Sequence, residues 1–173
     1  HPLTFILEAA DDIAYKTADI EDAFVKGFIS YNALVKELTE LEQRFGQEGG
    51  TFSPLAKLEE LYERANYMHL DKPEEYAVKN WIVRVQGFLL NCATYGFTSN
   101  YEAIMEGTYK HDLFYQTYGQ RLMDLLGDMA YRRVFATEAI YRNEMREGVM
   151  LDYLLDRFMN AAIKYDTPGE VLG

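Results

Sequence analysis

Asp11, Tyr15 and Asp19 recur at intervals of four residues near the start of the chain, the spacing that stacks side chains on one face of an α-helix. Neighbours in such a row lie about 6 Å apart along the axis. Divalent cations take carboxylate oxygens as ligands, and a tyrosine hydroxyl beside them could hydrogen-bond the hydroxyls of a sugar. Glu8 and Asp12 extend the same acidic face. Carboxylates at i and i+4 repel by a few tenths of a kcal/mol, so such a face has water or a cation in front of it. On pattern alone, a solvated face is the simpler account, because exposed Asp and Glu are ordinary.

The other reactive groups offer less. The pair His111-Asp112 has the letters of a metal-binding dipeptide, but no second histidine stands at helical spacing from it. A helix N-terminus, where the macrodipole favours an acidic side chain, accounts for it. His69 falls in a polar loop, and His1 is merely the first residue. Cys92 is the only cysteine, which rules out an intrachain disulfide or a cysteine-based zinc site. It falls on an apolar stripe and reads as a small hydrophobe. No glycine-rich loop precedes a Lys-Ser or Lys-Thr pair, so a phosphate-cradling loop is absent. The 14 tyrosines and 10 phenylalanines are spread along helical stripes and read as core and interface.

These residues must be positioned by helices. With 173 residues, 49% hydrophobic and 26% charged, the chain suits a single all-α, bundle-like domain over 1–173 with about seven helices and short connections. In the opening helix, Leu3, Ile6, Ala10, Ile13, Ala14 and Thr17 form the expected core face. Gly27 marks a bend. Ser30 caps a second helix over 31–44, buried through Leu34, Val35, Leu38 and Leu41 and ended by Gly46, Gly49 and Gly50. Ser53-Pro54 starts a third, through Tyr67. The longest helix is expected over 74–96, opened by Asp71 and Pro73, with Val78, Ile82, Val85, Leu89, Cys92 and Gly96 as its stripe and Trp81 and Phe88 widening it. Ser99 caps a short piece ending at Gly107. His111 or Asp112 begins a further helix reaching Arg133. Thr137 starts the last, with Ile140, Val149, Leu151, Leu154, Leu155 and Phe158 apolar, and Thr167-Pro168-Gly169 terminates it.

A net charge of −11 and a pI near 4.7 exclude long-range attraction to nucleic acid or to an anionic membrane surface. No apolar run approaches the ~20 residues of a spanning helix, no secretory signal pattern is present, and a reducing, cytoplasmic setting is expected. The chain lacks an initiator methionine and opens directly on a helix-forming stretch, so a segment of a longer polypeptide is expected.

The string His1-Pro2-Leu3-Thr4-Phe5-Ile6-Leu7-Glu8-Ala9-Ala10-Asp11-Asp12-Ile13-Ala14-Tyr15, followed by Asp19-Ile20-Glu21-Asp22, resembles the last metal-ligand segment of the deoxyguanosine triphosphate triphosphohydrolase family, within the HD-domain superfamily. Weaker similarity continues through Arg84-Val85-Gln86-Gly87 and Arg133-Val134-Phe135. The resemblance implies the C-terminal part of an HD-type enzyme, with 1–26 as the last metal-ligand helix and 27–173 as C-terminal helices. It implies that Asp11 ligates a divalent metal (Mg, Mn or similar), and that Tyr15 and Asp19 line the deoxyribose. The implied chemistry is water attack on the α-phosphorus of a deoxynucleoside triphosphate, releasing deoxynucleoside and triphosphate, with the metal polarising the phosphoryl oxygen. The family's first histidine and its His-Asp pair should precede Asp11, and this chain has nothing matching before it. His111-Asp112 comes after Asp11 and does not count. The parent is therefore expected to be an enzyme and this segment alone to be inactive, with Arg132 and Arg133 as candidates to hold the triphosphate. A homo-oligomer is expected, since such enzymes are commonly oligomeric. The rival reading is a non-catalytic helical interaction or oligomerisation module; a cyclic-nucleotide phosphodiesterase is disfavoured by the Glu8-Ala9-Ala10-Asp11-Asp12 string.

Overall fold

Helix α4, Pro73–Ser99, is the element most helices of residues 1–134 pack around. Its buried residues, Ala77, Val78, Trp81, Ile82, Val85, Leu89, Ala93 and Gly96, recur at spacings of three and four. The adjacent pairs 77/78 and 81/82 widen the apolar face enough to serve several neighbours at once. In the computed structural model, which describes residues 1–45, 52–135 and 138–166, α1 (Pro2–Val25), α3 (Pro54–Tyr67), α5 (Tyr101–Glu106) and α6 (Tyr118–Ala130) pack against α4. Helix α2 (Tyr31–Phe45) packs on α3 and α6. The described residues form seven α-helices and one π-helical turn, Tyr131–Phe135, so the protein is all-α.

Backbone contacts divide the chain into two units, His1–Val134 and Phe135–Gly173. The first holds a continuous core in which Ile20, Leu34, Leu38, Leu58, Val78, Trp81, Leu89, Leu122 and Leu126 are fully buried. Burying each such side chain stabilises by roughly 1.5–3 kcal/mol. In the second, α7 (Glu138–Asp166) carries exposed Val149, Leu151, Leu154, Leu155 and Phe158. At 29 residues it exceeds the 27 of α4, so α4 is not the longest helix as expected. Among the described residues no helix is long and apolar enough to cross a membrane.

Helix boundaries follow local chemistry. Gly27, at φ +77°, ends α1, with the Gly27 and Phe28 amides donating to Phe24 and Ala23 carbonyls at 3.0 and 2.8 Å, a Schellman-type stop. Ser53 accepts from the Ala56 amide at 3.0 Å and Ser30 from Ala33 at 3.2 Å, as expected of N-caps. The stop signals at Gly46, Gly49, Gly50 and 167–169, and the Thr137 cap, lie outside the described residues.

The expected helix start at His111 or Asp112 is corrected. Residues 107–117 are non-helical, and α6 begins after Thr117, whose hydroxyl accepts from the Gln120 amide. Three local choices exclude a helix earlier. The Asp112 carboxylate accepts from the Phe114 amide at 2.7 Å, Leu113 and Phe114 are both buried, and Gln116 adopts φ +61°, a left-handed conformation that interrupts helix. The signal overlooked in the sequence is Thr117-Tyr118-Gly119-Gln120, a Ser/Thr-x-x-Glu/Gln capping pattern.

Candidate functional site

The expected core face of α1 is rotated from the one observed. The buried stripe is Ala9, Ile13, Thr17, Ile20 and Ala23, whereas Leu3 is 63% exposed and Ile6, Ala10 and Ala14 are exposed as well. The physical reason is that α1 has two partners, α4 and α6. Their shared groove takes the line through Ala9, Ile13, Thr17, Ile20 and Ala23, and leaves the larger apolar side chains of the first two turns, Leu3, Ile6 and Leu7, outside it. Ile13 and Thr17 belong to both faces, and Ala9, Ile20 and Ala23 replace Leu3, Ile6, Ala10 and Ala14.

The acidic face nevertheless points outward. Asp11 is exposed, and no hydrogen bond or ion pair of its carboxylate occurs among the described residues. Tyr15 is 65% exposed. Asp19 is half-buried, and burial, assisted by the neighbouring Asp22 and opposed by Lys26, pushes its carboxyl above the ordinary aspartate range. Flanking acids are engaged: Asp12 faces Lys16 at 3.9 Å and Asp22 faces Lys26 at 3.0 Å. Glu8 is exposed. Helix α1 thus offers one exposed carboxylate, one exposed phenol and one partly desolvated carboxyl along successive turns.

Among the described residues, no group of three His, Cys, Asp or Glu side chains could hold a metal ion. The α1 carboxylates therefore do not make a metal site by themselves, and one carboxylate seldom suffices.

The segment 107–117 adjoins this helix. The Tyr109 ring packs on Phe5 of α1 at 5.7 Å between centroids, and a small crevice between α1 and residues 112–114 is lined by Phe5, Glu8, Asp12 and Asp112. His111 stacks flat on Tyr115 at 3.7 Å, 7° from parallel, and both are exposed. The helix-cap account of His111-Asp112 does not hold, because no helix begins there. The segment is anchored from below: a Cβ built on Gly96 would lie 2.0 Å from the Leu113 carbonyl oxygen.

Arg132 and Arg133 lie elsewhere. The Arg132 guanidinium grips both Glu37 oxygens at 3.2 and 3.0 Å and Asp128 at 2.8 Å, and Arg133 approaches Glu37 at 3.9 Å. They flank a groove of about 650 Å³ between α2 and α6 in which Glu37, Glu40, Asp124 and Asp128 alternate with the basic residues, a mixed lining in which an anion meets carboxylates as well as cations. Cys92 is half-buried, and burial, partly offset by a backbone hydrogen bond from Gly119, raises its thiol pKa. His69 sits in its loop at φ +54°. His1 is the N-cap of α1 and accepts from the Leu3 amide at 3.3 Å.

No family model matches the chain. Curated proteins do match it. It is 32% identical over 168 residues to a deoxyguanosinetriphosphate triphosphohydrolase-like protein of Listeria monocytogenes, covering 96% of this chain and 35% of that protein. It is 30% identical over 158 residues to a deoxyguanosinetriphosphate triphosphohydrolase of Klebsiella pneumoniae, covering 90% of this chain and 31% of that protein. The chain is a homologue of these triphosphohydrolases. It spans about a third of the length of the curated relatives it matches.

Proposed function

We propose that this chain is the part of a deoxynucleoside triphosphate triphosphohydrolase that presents α1 to the nucleotide. Its reaction is hydrolysis of a deoxynucleoside triphosphate to a deoxynucleoside and inorganic triphosphate. The observation that carries the reading is the outward face of α1, with Asp11 free of protein partners among the described residues, Tyr15 exposed and Asp19 partly desolvated, in a chain homologous to proteins named deoxyguanosinetriphosphate triphosphohydrolase or triphosphohydrolase-like. Asp11 contributes one ligand to a divalent metal, Mg, Mn or similar. The rest of the donor set comes from the two thirds of such a protein that this chain does not span. Tyr15 and Asp19 hydrogen-bond the deoxyribose, Asp19 through whichever of its protonated or ionised forms the sugar hydroxyl selects.

With only one metal ligand, this chain alone does not hydrolyse nucleotides. The decisive measurement is triphosphate release from deoxynucleoside triphosphates by full-length protein carrying Asp11→Ala, in Mg or Mn. A loss of at least about 100-fold is expected for a group at the reacting centre, and near wild-type release overturns the assignment.

A second reading, an oligomerisation module, is favoured by one observation. Met150, Leu151, Leu154, Leu155, Phe158 and Met159 are all exposed on α7, an apolar surface of the kind that subunit interfaces use. On that reading α7 holds copies of the enzyme together and the two roles coexist. Leu154→Lys with Phe158→Lys then lowers the mass measured by sedimentation, and an unchanged mass rejects it.

A further inference from the structure

Gln86, in the middle of α4, belongs to the Arg84-Val85-Gln86-Gly87 stretch, to which the proposed reaction gives no role. Its side-chain amide donates to the Thr17 hydroxyl of α1 at 2.9 Å. Thr17 is fully buried, the one buried polar residue of the described core. Its hydroxyl in turn donates to the Ile13 carbonyl at 2.6 Å, so its donor and an acceptor lone pair are both satisfied.

The rest of the α1 stripe, Ala9, Ile13, Ile20 and Ala23, is apolar. Apolar contact is non-directional, and such a stripe slides or turns in its groove with little change in buried area. A hydrogen bond is directional and fails steeply off its axis, and a buried polar group left unpaired is strongly disfavoured. One residue of slip turns a helix by 100° and moves it about 1.5 Å. Thr17 lies between Tyr15 and Asp19 in sequence and on the opposite side of the helix, so any rotation about it swings both.

We infer that the Gln86–Thr17 hydrogen bond sets the rotation and register of α1 against α4, and that Gln86 is a positioning residue for the face carrying Asp11, Tyr15 and Asp19. The inference rests on the reading of that face as a nucleotide site.

The test uses full-length enzyme with Thr17→Val, Thr17→Ser, Gln86→Met and the Thr17→Val/Gln86→Met pair, and Leu61→Ala in the α3 core as a stability-matched control. Wild-type triphosphate release is measured first, with kcat and KM separately, beside hydrogen exchange of the 9–20 amides. Small misplacement of contacting groups costs roughly 5- to 100-fold in rate, so each of Thr17→Val and Gln86→Met lowers kcat/KM in that range and raises KM. The pair is no worse than the worse single variant, Thr17→Ser restores activity to near wild type, and Leu61→Ala leaves kcat/KM unchanged. Variants that lose thermal stability but keep kcat/KM overturn the inference. If wild-type enzyme releases no triphosphate, the nucleotide reading fails instead. Exchange alone then decides: faster exchange of the 9–20 amides in both single variants, without further increase in the pair, supports the lock, and unchanged exchange removes it.

Discussion

Gly96 of α4 and Leu113 of the following non-helical segment meet backbone to backbone, so closely that a Cβ on Gly96 would stand 2.0 Å from the Leu113 carbonyl oxygen. This contact seats the segment bearing Tyr109, His111 and Tyr115 against the core, while Tyr109 ties it to Phe5 of α1. A side chain at 96 must push that backbone away, because neither the helix nor the carbonyl can yield alone. Gly96→Ala is expected to destabilise by about 1–3 kcal/mol, the usual cost of overpacking. Gly87, on the same helix, is exposed with nothing within 4 Å of its would-be Cβ, and Gly87→Ala should stabilise by roughly 0.5–1 kcal/mol through reduced backbone freedom. Thermal unfolding of the two variants beside wild type checks both signs.

Trp81 is fully buried, and its indole N–H donates to the Pro54 carbonyl at 2.7 Å, joining α4 to the first turn of α3. Trp81→Phe removes that hydrogen bond and leaves a cavity where the second indole ring sat, while the Pro54 carbonyl keeps its place in the helical ladder of α3. A loss of about 1–3 kcal/mol is expected from the lost bond and the cavity together. Denaturant titration measures it, and a midpoint unchanged from wild type would show that neither the bond nor the second ring contributes.

Asp19 supplies a pH prediction. Its folded-state pKa lies above the ordinary value of 3.8, chiefly through burial. Between 3.8 and that higher folded value the native state therefore holds more proton than the unfolded chain, and native stability falls as pH rises through the window. Below 3.8 the protonated carboxyl costs nothing. Asp19→Asn removes the titration, so its melting temperature relative to wild type should climb as pH rises past 3.8 and level off once pH exceeds the raised folded value. A constant melting difference across pH rejects the linkage.

Cys92 is predicted to be sluggish. Burial raises its thiol pKa, and only the thiolate attacks. At pH 8 a disulfide-exchange reagent should modify it more slowly than free cysteine, with the rate rising to the free value once denaturant unfolds the chain. Equal rates in native protein and in denaturant contradict the burial.

The sequence by itself determined the helical class, the α3 and α4 starts at proline, the α4 stripe and the outward turn of Asp11, Tyr15 and Asp19. These follow from local rules: a proline fits only the first turn, a three-four repeat selects one face, and adjacent acids seek water. Tertiary structure decided what depends on neighbours. The groove made by α4 and α6 buries Ala9 and Ala23 of α1 while leaving Leu3 and Ile6 exposed, because fit to a shared cleft outweighs hydrophobicity summed along one helix. Only the assembled fold brings Gln86 to Thr17, 69 residues apart, and Tyr109 to Phe5 of α1. Neither pairing leaves a periodic trace, since both arise from side chains meeting between elements whose separation along the chain carries no pattern.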